Sequence, residues 1–254
     1  MARLHPGAAA LLWVGVMFLP ALPAYAWLWP AVRGSDWEHW VMVLVYSYFL
    51  AGTLAIGLPR WRLAELGVNR RGLWLSLACG AFFVLAVAVG LLGTNLRPSW
   101  RPPAPWQLAG DALFYFGQVG PVEELLFRGL IYRALLDWRG PRWAIWGSAL
   151  SFGFYHVGRG GLFAALSISL VGLIWGLIRW RAGGIAGLVL VHAAVDTASR
   201  YLWLAPTLDD PLAGLQIVDR LYLLLGDALL LGLVLYLWRP GFLDARRRVL
   251  DRAK

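Results

Sequence analysis

The sequence predicts an all-α fold, a polytopic membrane helix bundle of about eight transmembrane helices. Three observations predict it. The 254 residues are 60% hydrophobic and only 15% charged, outside the range of ordinary soluble domains. There are 16 tryptophans, residues that favour the two membrane–water interfaces. Apolar stretches also recur at close to the about 20 residues that a spanning helix needs at about 1.5 Å of rise each.

Eight such stretches lie at 8–28, 37–58, 72–93, 107–136, 143–157, 162–180, 184–204 and 217–238. The first follows Arg3 and ends in "ALPAYA", a pattern shared with cleaved signal peptides. Its apolar run continues to Trp27 and Trp29, longer than a signal core, so it is read as a true span. The second and third carry almost no internal charge. The Pro-rich "RPSWRPPAPW" at 97–106 then reads as a linker. It separates an N-terminal part, 1–106, from a core at 107–205 in which buried polar residues gather; the last span and a basic tail fill 206–254. The fourth stretch is long and the fifth short. Gly120-Pro121 is a candidate break in the fourth. Gly172, Gly176, Gly183, Gly184 and Gly187, in and between the sixth and seventh, read as sites of close helix packing.

The net charge of +9 comes almost wholly from arginine. On a soluble protein that balance would suggest nucleic acid; here it reports topology. Sixteen of the 23 basic residues fall on the side of the membrane that holds both termini, six fall on the other, and Arg128 lies within a span. Both termini are therefore expected in the cytoplasm, with the tail "DARRRVLDRAK" against lipid phosphates rather than nucleic acid. Abundant arginine and alanine with almost no lysine suggest a bacterial coding background and hence a bacterial inner membrane. The single Cys79 excludes an intramolecular disulfide and a multi-cysteine metal site.

Charged side chains at bilayer depth cost at least about 2.5 kcal/mol, so they tend to face a bundle interior and carry function. The segment "GPVEELLFRGLIYRALL" at 120–136 holds three. Glu124 and Arg128 stand at i and i+4, the spacing of an ion pair that braces the helix. Glu123 points about 100° away, and its own i+4 neighbour is Phe127. Glu123 is therefore the acid left to do chemistry, as a general base or acid. A structural ion pair with Glu123 reaching an interface is the plainer alternative. Two of the four histidines, His5 and His39, lie near expected membrane surfaces, whereas His156 and His192 lie in or at the ends of spans. Two intramembrane histidines beside an unpaired glutamate are the material of an acid/base site. His192 and Asp196 again share one helix face at i and i+4. Asp111 and Asp227 are isolated acids, the latter within reach of Arg220.

Glu-Glu-x-x-x-Arg at Glu123, Glu124 and Arg128, Phe-x-x-x-His at Phe152 and His156, and His-x-x-x-Asp at His192 and Asp196 together resemble the CPBP family, the CAAX-prenyl-protease and bacteriocin-processing (Abi) intramembrane proteases. The resemblance spans about residues 107–205 and rests on three ordered motifs in successive spans. The family's last motif ends in asparagine, so Asp196 departs from it; an ionised aspartate cannot donate the hydrogen bond that asparagine can. The resemblance implies that Glu123 and His156 hold and deprotonate a water, and that His192 and the residue at Asp196 stabilise the oxyanion; Asp196 either stays protonated by burial or, the preferred reading, orients His192 as a cation, since a carboxylate one turn away favours imidazolium. It gives Glu124, Arg128 and Phe152 supporting places. One glutamate and two histidines also make a plausible zinc set. The compact His-Glu-x-x-His signature is absent and one glutamate serves poorly as both ligand and base, which favours catalysis without a cofactor. The expected partners are the bilayer and a membrane-anchored peptide or protein. A proton-coupled transporter would use similar residues but should show internal repeats, and none is seen. A non-enzymatic immunity or chaperone protein should tolerate loss of Glu123.

Overall fold

The structure, a computed structural model, describes residues 4–23, 27–35, 37–94, 96–100, 102–206 and 217–238. Arg3 and the basic tail lie outside the described residues, as does the Arg220 side chain expected near Asp227.

The chain is mostly helical. It runs α1 (Pro6–Pro23), α2 (Trp29–Val32), α3 (Glu38–Gly57) and α4 (Leu73–Leu92), then β1 (Leu96–Trp100). A long helical run follows: α5 (Pro105–Phe114), a π-helical segment Tyr115–Val119, α6 (Gly120–Glu124), a second π-helical segment Leu125–Ile131, and α7 (Tyr132–Arg139). α8 (Pro141–Tyr155), α9 (Val157–Ala182), α10 (Ala186–Ser199), β2 (Leu202–Pro206) and α11 (Ile217–Trp238) complete it. Two compact units result, one of Met1–Leu77 with Arg101–Tyr201, the other of Ala78–Trp100 with Leu202–Lys254.

Helices lie over every apolar stretch, but among the described residues three are long and apolar enough to cross a membrane: Glu38–Gly57, Leu73–Leu92 and Ala165–Ala182 within α9. Pro6–Ala21, Ala186–Ser199 and Leu224–Trp238 are apolar and shorter. The departures from eight full spans have local causes. The fourth stretch changes hydrogen-bond pattern twice, and α8 is only 15 residues long.

One departure is a correction to the all-α expectation. In the second unit, β1 and β2 pair antiparallel, Leu96 opposite Pro206 and Trp100 opposite Leu202. β1 falls in the stretch expected to be linker. A two-stranded ribbon tolerates a proline's missing N–H.

Within the first unit, α8 and α9 pack against each other along glycine. A Cβ on Gly172 would lie 3.0 Å from the Ala149 Cα, and one on Gly176 3.4 Å from the Ile145 carbonyl oxygen. A Cβ on Gly184 would lie 2.6 Å from the Arg71 carbonyl oxygen, and one on Gly187 2.8 Å from that of Leu73. These four serve the close approach expected of them. Gly183 instead ends α9: its φ of 77° is left-handed and its N–H reaches the Arg179 carbonyl at 3.0 Å.

Candidate active site

The site is built on α6. Pro121 has no N–H to give to the helix, yet the chain does not break there: Val119 and Gly120 keep right-handed helical angles (−59°, −60° and −56°, −52°). The expected break is replaced by a π turn, in which the Gly120 N–H reaches back five residues to the Tyr115 carbonyl. Gly120 also lets α10 come close, since a Cβ there would lie 2.9 Å from the Val189 carbonyl oxygen and 3.2 Å from the Ala193 Cβ. That approach carries His192 to the two glutamates.

Glu123 is 3% exposed, Glu124 and Arg128 are fully buried, and His156 is 5% exposed. Glu124 Oε1 lies 3.4 Å from an Arg128 terminal nitrogen, the pair expected from the i, i+4 spacing. The guanidinium carbon sits 4.0 Å above the Phe152 ring. The same Glu124 oxygen also accepts from His192 Nδ1 at 2.8 Å. Glu124 is thus more than a brace for Arg128; it orients an imidazole from another helix. Arg179, from the last turn of α9, donates to the Arg128 carbonyl at 3.1 Å and ties α9 to this segment.

His156 occupies the single turn between α8 and α9, at φ −95° and ψ 3°. Its ring stands edge-on to Phe152 and Tyr155, with centroids 4.7 Å and 4.9 Å away. Its Nδ1 lies 2.8 Å from the Phe152 carbonyl oxygen. A carbonyl only accepts, so Nδ1 carries the proton, and in the neutral ring Nε2 offers a lone pair. That lone pair faces Glu123 Oε2 at 3.9 Å. Two acceptors facing each other at this distance call for a bridging donor, and a water molecule has two protons to offer. His192 Nε2 lies 3.6 Å from the same Glu123 oxygen and 3.5 Å from Asp196 Oδ2. Glu124 fixes the Nδ1 proton of His192, so a proton on Nε2 would make the ring cationic and point it between two carboxylates. The other oxygen of Glu123, Oε1, accepts from the Tyr46 hydroxyl of α3 at 2.7 Å.

The structure therefore gathers all seven residues singled out in the sequence, Glu123, Glu124, Arg128, Phe152, His156, His192 and Asp196, into one cluster. His5 and His39 stand apart, the first accepting from the Gly7 N–H at 3.1 Å and the second packing on Phe114 with centroids 5.2 Å apart. Asp111 accepts from the Tyr201 hydroxyl at 2.6 Å and lies 3.5 Å from Arg200 Nε. Sequence reasoning missed Tyr46, Arg179 and the Glu124–His192 bond. The last had a signal of sorts, two adjacent acids and a histidine on different spans; Tyr46 had none that set it apart from Tyr48.

Beside the cluster is a cavity of about 100 Å³ lined by Met42, Tyr46, Phe114, Tyr115, Asp196 and Ser199 among others. Asp196, its side chain 30% exposed, connects the cavity to His192. Among the described residues no group of three or more histidine, cysteine, aspartate or glutamate side chains is disposed to hold a metal ion.

Residues 105–198 match the family model described as Rce1-like, type II CAAX prenyl endopeptidase Rce1-like. This is the CPBP/CAAX protease family. The matched CAAX-protease segment runs from α5 to α10 and contains every one of the seven clustered residues; α1 to α4, with Tyr46, lie outside it. Neither a curated protein nor a solved structure matches the chain. Over these residues the chain is similar to CAAX-type proteases, and among the described residues three helices are long and apolar enough to cross a membrane.

Proposed function

We propose that the chain is an intramembrane endopeptidase that hydrolyses a peptide bond in a membrane-associated or lipid-anchored protein or peptide, with water activated by Glu123 and His156. The observation that carries this is the meeting of one buried carboxylate oxygen with two imidazoles from separate helices, Glu123 Oε2 lying 3.9 Å from His156 Nε2 and 3.6 Å from His192 Nε2.

A water bridging Glu123 and His156 gives a proton to Glu123 Oε2 as its oxygen attacks the scissile carbonyl carbon. The carbonyl π pair moves onto oxygen, where His192, held by Glu124 and Asp196, offers its Nε2 proton to the oxyanion. On collapse the C–N bond breaks and the amine leaves with the proton stored on Glu123. His156, its Nδ1–H held by the Phe152 carbonyl, accepts from the water and keeps its own protonation throughout. Because Glu123 serves as base in this scheme, no metal is required of it, and the enzyme is of the glutamic rather than the metal-dependent type. Residues 107–205 form the catalytic core, set in a multi-pass chain of a bacterial inner membrane with both termini cytoplasmic.

Purified protein in detergent is offered candidate membrane-anchored peptides, with Glu123→Ala, His156→Ala and excess chelator run in parallel. Cleavage should vanish in both variants and survive the chelator. Rescue of chelator-treated protein by zinc would replace the water-activating glutamate with a metal, and undiminished cleavage by Glu123→Ala would remove the assignment.

A further inference from the structure

Every residue that the protease reading uses lies within the matched segment, but the best-formed hydrogen bond to Glu123 comes from outside it. The Tyr46 hydroxyl donates to Glu123 Oε1 at 2.7 Å, and the tyrosine is 1% exposed. Its ring is fixed edge-on against Phe114, 5.8 Å between centroids, and packing against α5 holds the hydroxyl where it is. A carboxylate on a glutamate side chain can rotate about its last bond and offer either oxygen. With one oxygen engaged by a buried donor, the other is committed to the imidazoles. The same tyrosine lines the cavity that reaches Asp196.

We infer that Tyr46 is a positioning residue: its hydroxyl anchors Glu123 Oε1, so that Oε2 is held toward His156 and His192 as the oxygen that takes the proton from water. The N-terminal part of the chain thereby completes a site whose reacting groups all come from the matched segment. The kinetic part of this inference rests on the protease reading; the bond itself does not.

Two measurements on the full-length protein in detergent test it. In isotope-edited infrared spectra of protein labelled in the glutamate carboxyl carbons, the Glu123 band is the one lost in Glu123→Gln. That band should shift in Tyr46→Phe and stay in place in Tyr48→Phe, whose hydroxyl instead bonds the Met17 carbonyl at 2.7 Å. An unmoved band in Tyr46→Phe would overturn the inference whether or not any peptide is cleaved. With a cleaved peptide in hand, Tyr46→Phe should lower kcat by about 10- to 100-fold, the scale of a misplaced reacting group, with KM within about twofold and the thermal midpoint close to the parent. Phe114→Leu, which keeps the hydroxyl and loosens the ring that carries it, should lower kcat by less than Tyr46→Phe does. Full kcat in Tyr46→Phe alongside an inactive Glu123→Ala sinks this inference and leaves the protease reading standing. A raised KM at unchanged kcat would also sink it, by making the tyrosine a substrate contact. Absence of cleavage by the parent protein removes the protease reading and leaves the infrared result to decide the bond.

Discussion

α4 and the segment Gly120–Ile131 are both helical and both arise from apolar sequence, yet they live in opposite surroundings. α4 carries Trp74, Leu85 and Leu92 outward, each more than half exposed, and only 22% of its spanning window is buried. In the second π segment every residue from Leu125 to Ile131 is buried, and that segment holds the arginine. In water the most apolar helix would be the innermost. Here the less apolar α9 window is the more buried, at 56%, because lipid satisfies leucine as well as a protein core does. In this chain apolarity marks the outside and charge marks the centre, so the residues that hydropathy penalises are the guide to the site.

That contrast can be broken at its charged end or its greasy end. Its largest test is Glu123→Gln, which keeps shape and removes the base; cleavage should fall by about 100- to 10,000-fold with the thermal midpoint almost unchanged. Next is Arg128→Met, which leaves Glu124 with His192 as its remaining partner; the expected loss is about 3–5 kcal/mol of stability, read by thermal or denaturant unfolding in detergent. Asp196→Asn should lower the rate about tenfold, equivalent to about 1.4 kcal/mol, by taking a charged neighbour from His192. A rate increase would show instead that a donor is wanted at this position. At the greasy end, Leu85→Ala should change stability by no more than about 0.5 kcal/mol, since the side chain is 56% exposed; a loss of 2 kcal/mol or more, on the scale of a core truncation, would mean that α4 is a core helix after all.

Uniformly apolar runs ended by polar or Gly/Pro clusters give their own boundaries. The second, third and eighth stretches, read at 37–58, 72–93 and 217–238, are helices at Glu38–Gly57, Leu73–Leu92 and Ile217–Trp238. The cluster was legible because charge in such runs is rare enough that each case is a question, and because i, i+4 spacing answered it for Glu124 and for His192. Other features depend on distant partners. The π turn before Gly120 goes with a missing proline N–H and with the approach of α10, which no local window contains. The ribbon pairs residues about a hundred positions apart. Tyr46 and Tyr48 sit two apart in a helix apolar all round, and only the rotation of α3 decides which one meets Glu123.

A π turn is an ordinary helix holding one surplus residue, so the bearing of α6 relative to α5 and α7 is set by counting. The surplus lies in Tyr115–Val119, so a residue removed there would be absorbed, whereas one removed between Val119 and Glu123 would swing everything before it by about 100° about the axis relative to the glutamates. Phe114 and Tyr115 would then leave the wall they share with Tyr46. For this chain a one-residue deletion at the surface of the site is therefore a more drastic change than most substitutions within it. Its sequence length between Val119 and Glu123 is as much a determinant of the chemistry as the acids themselves.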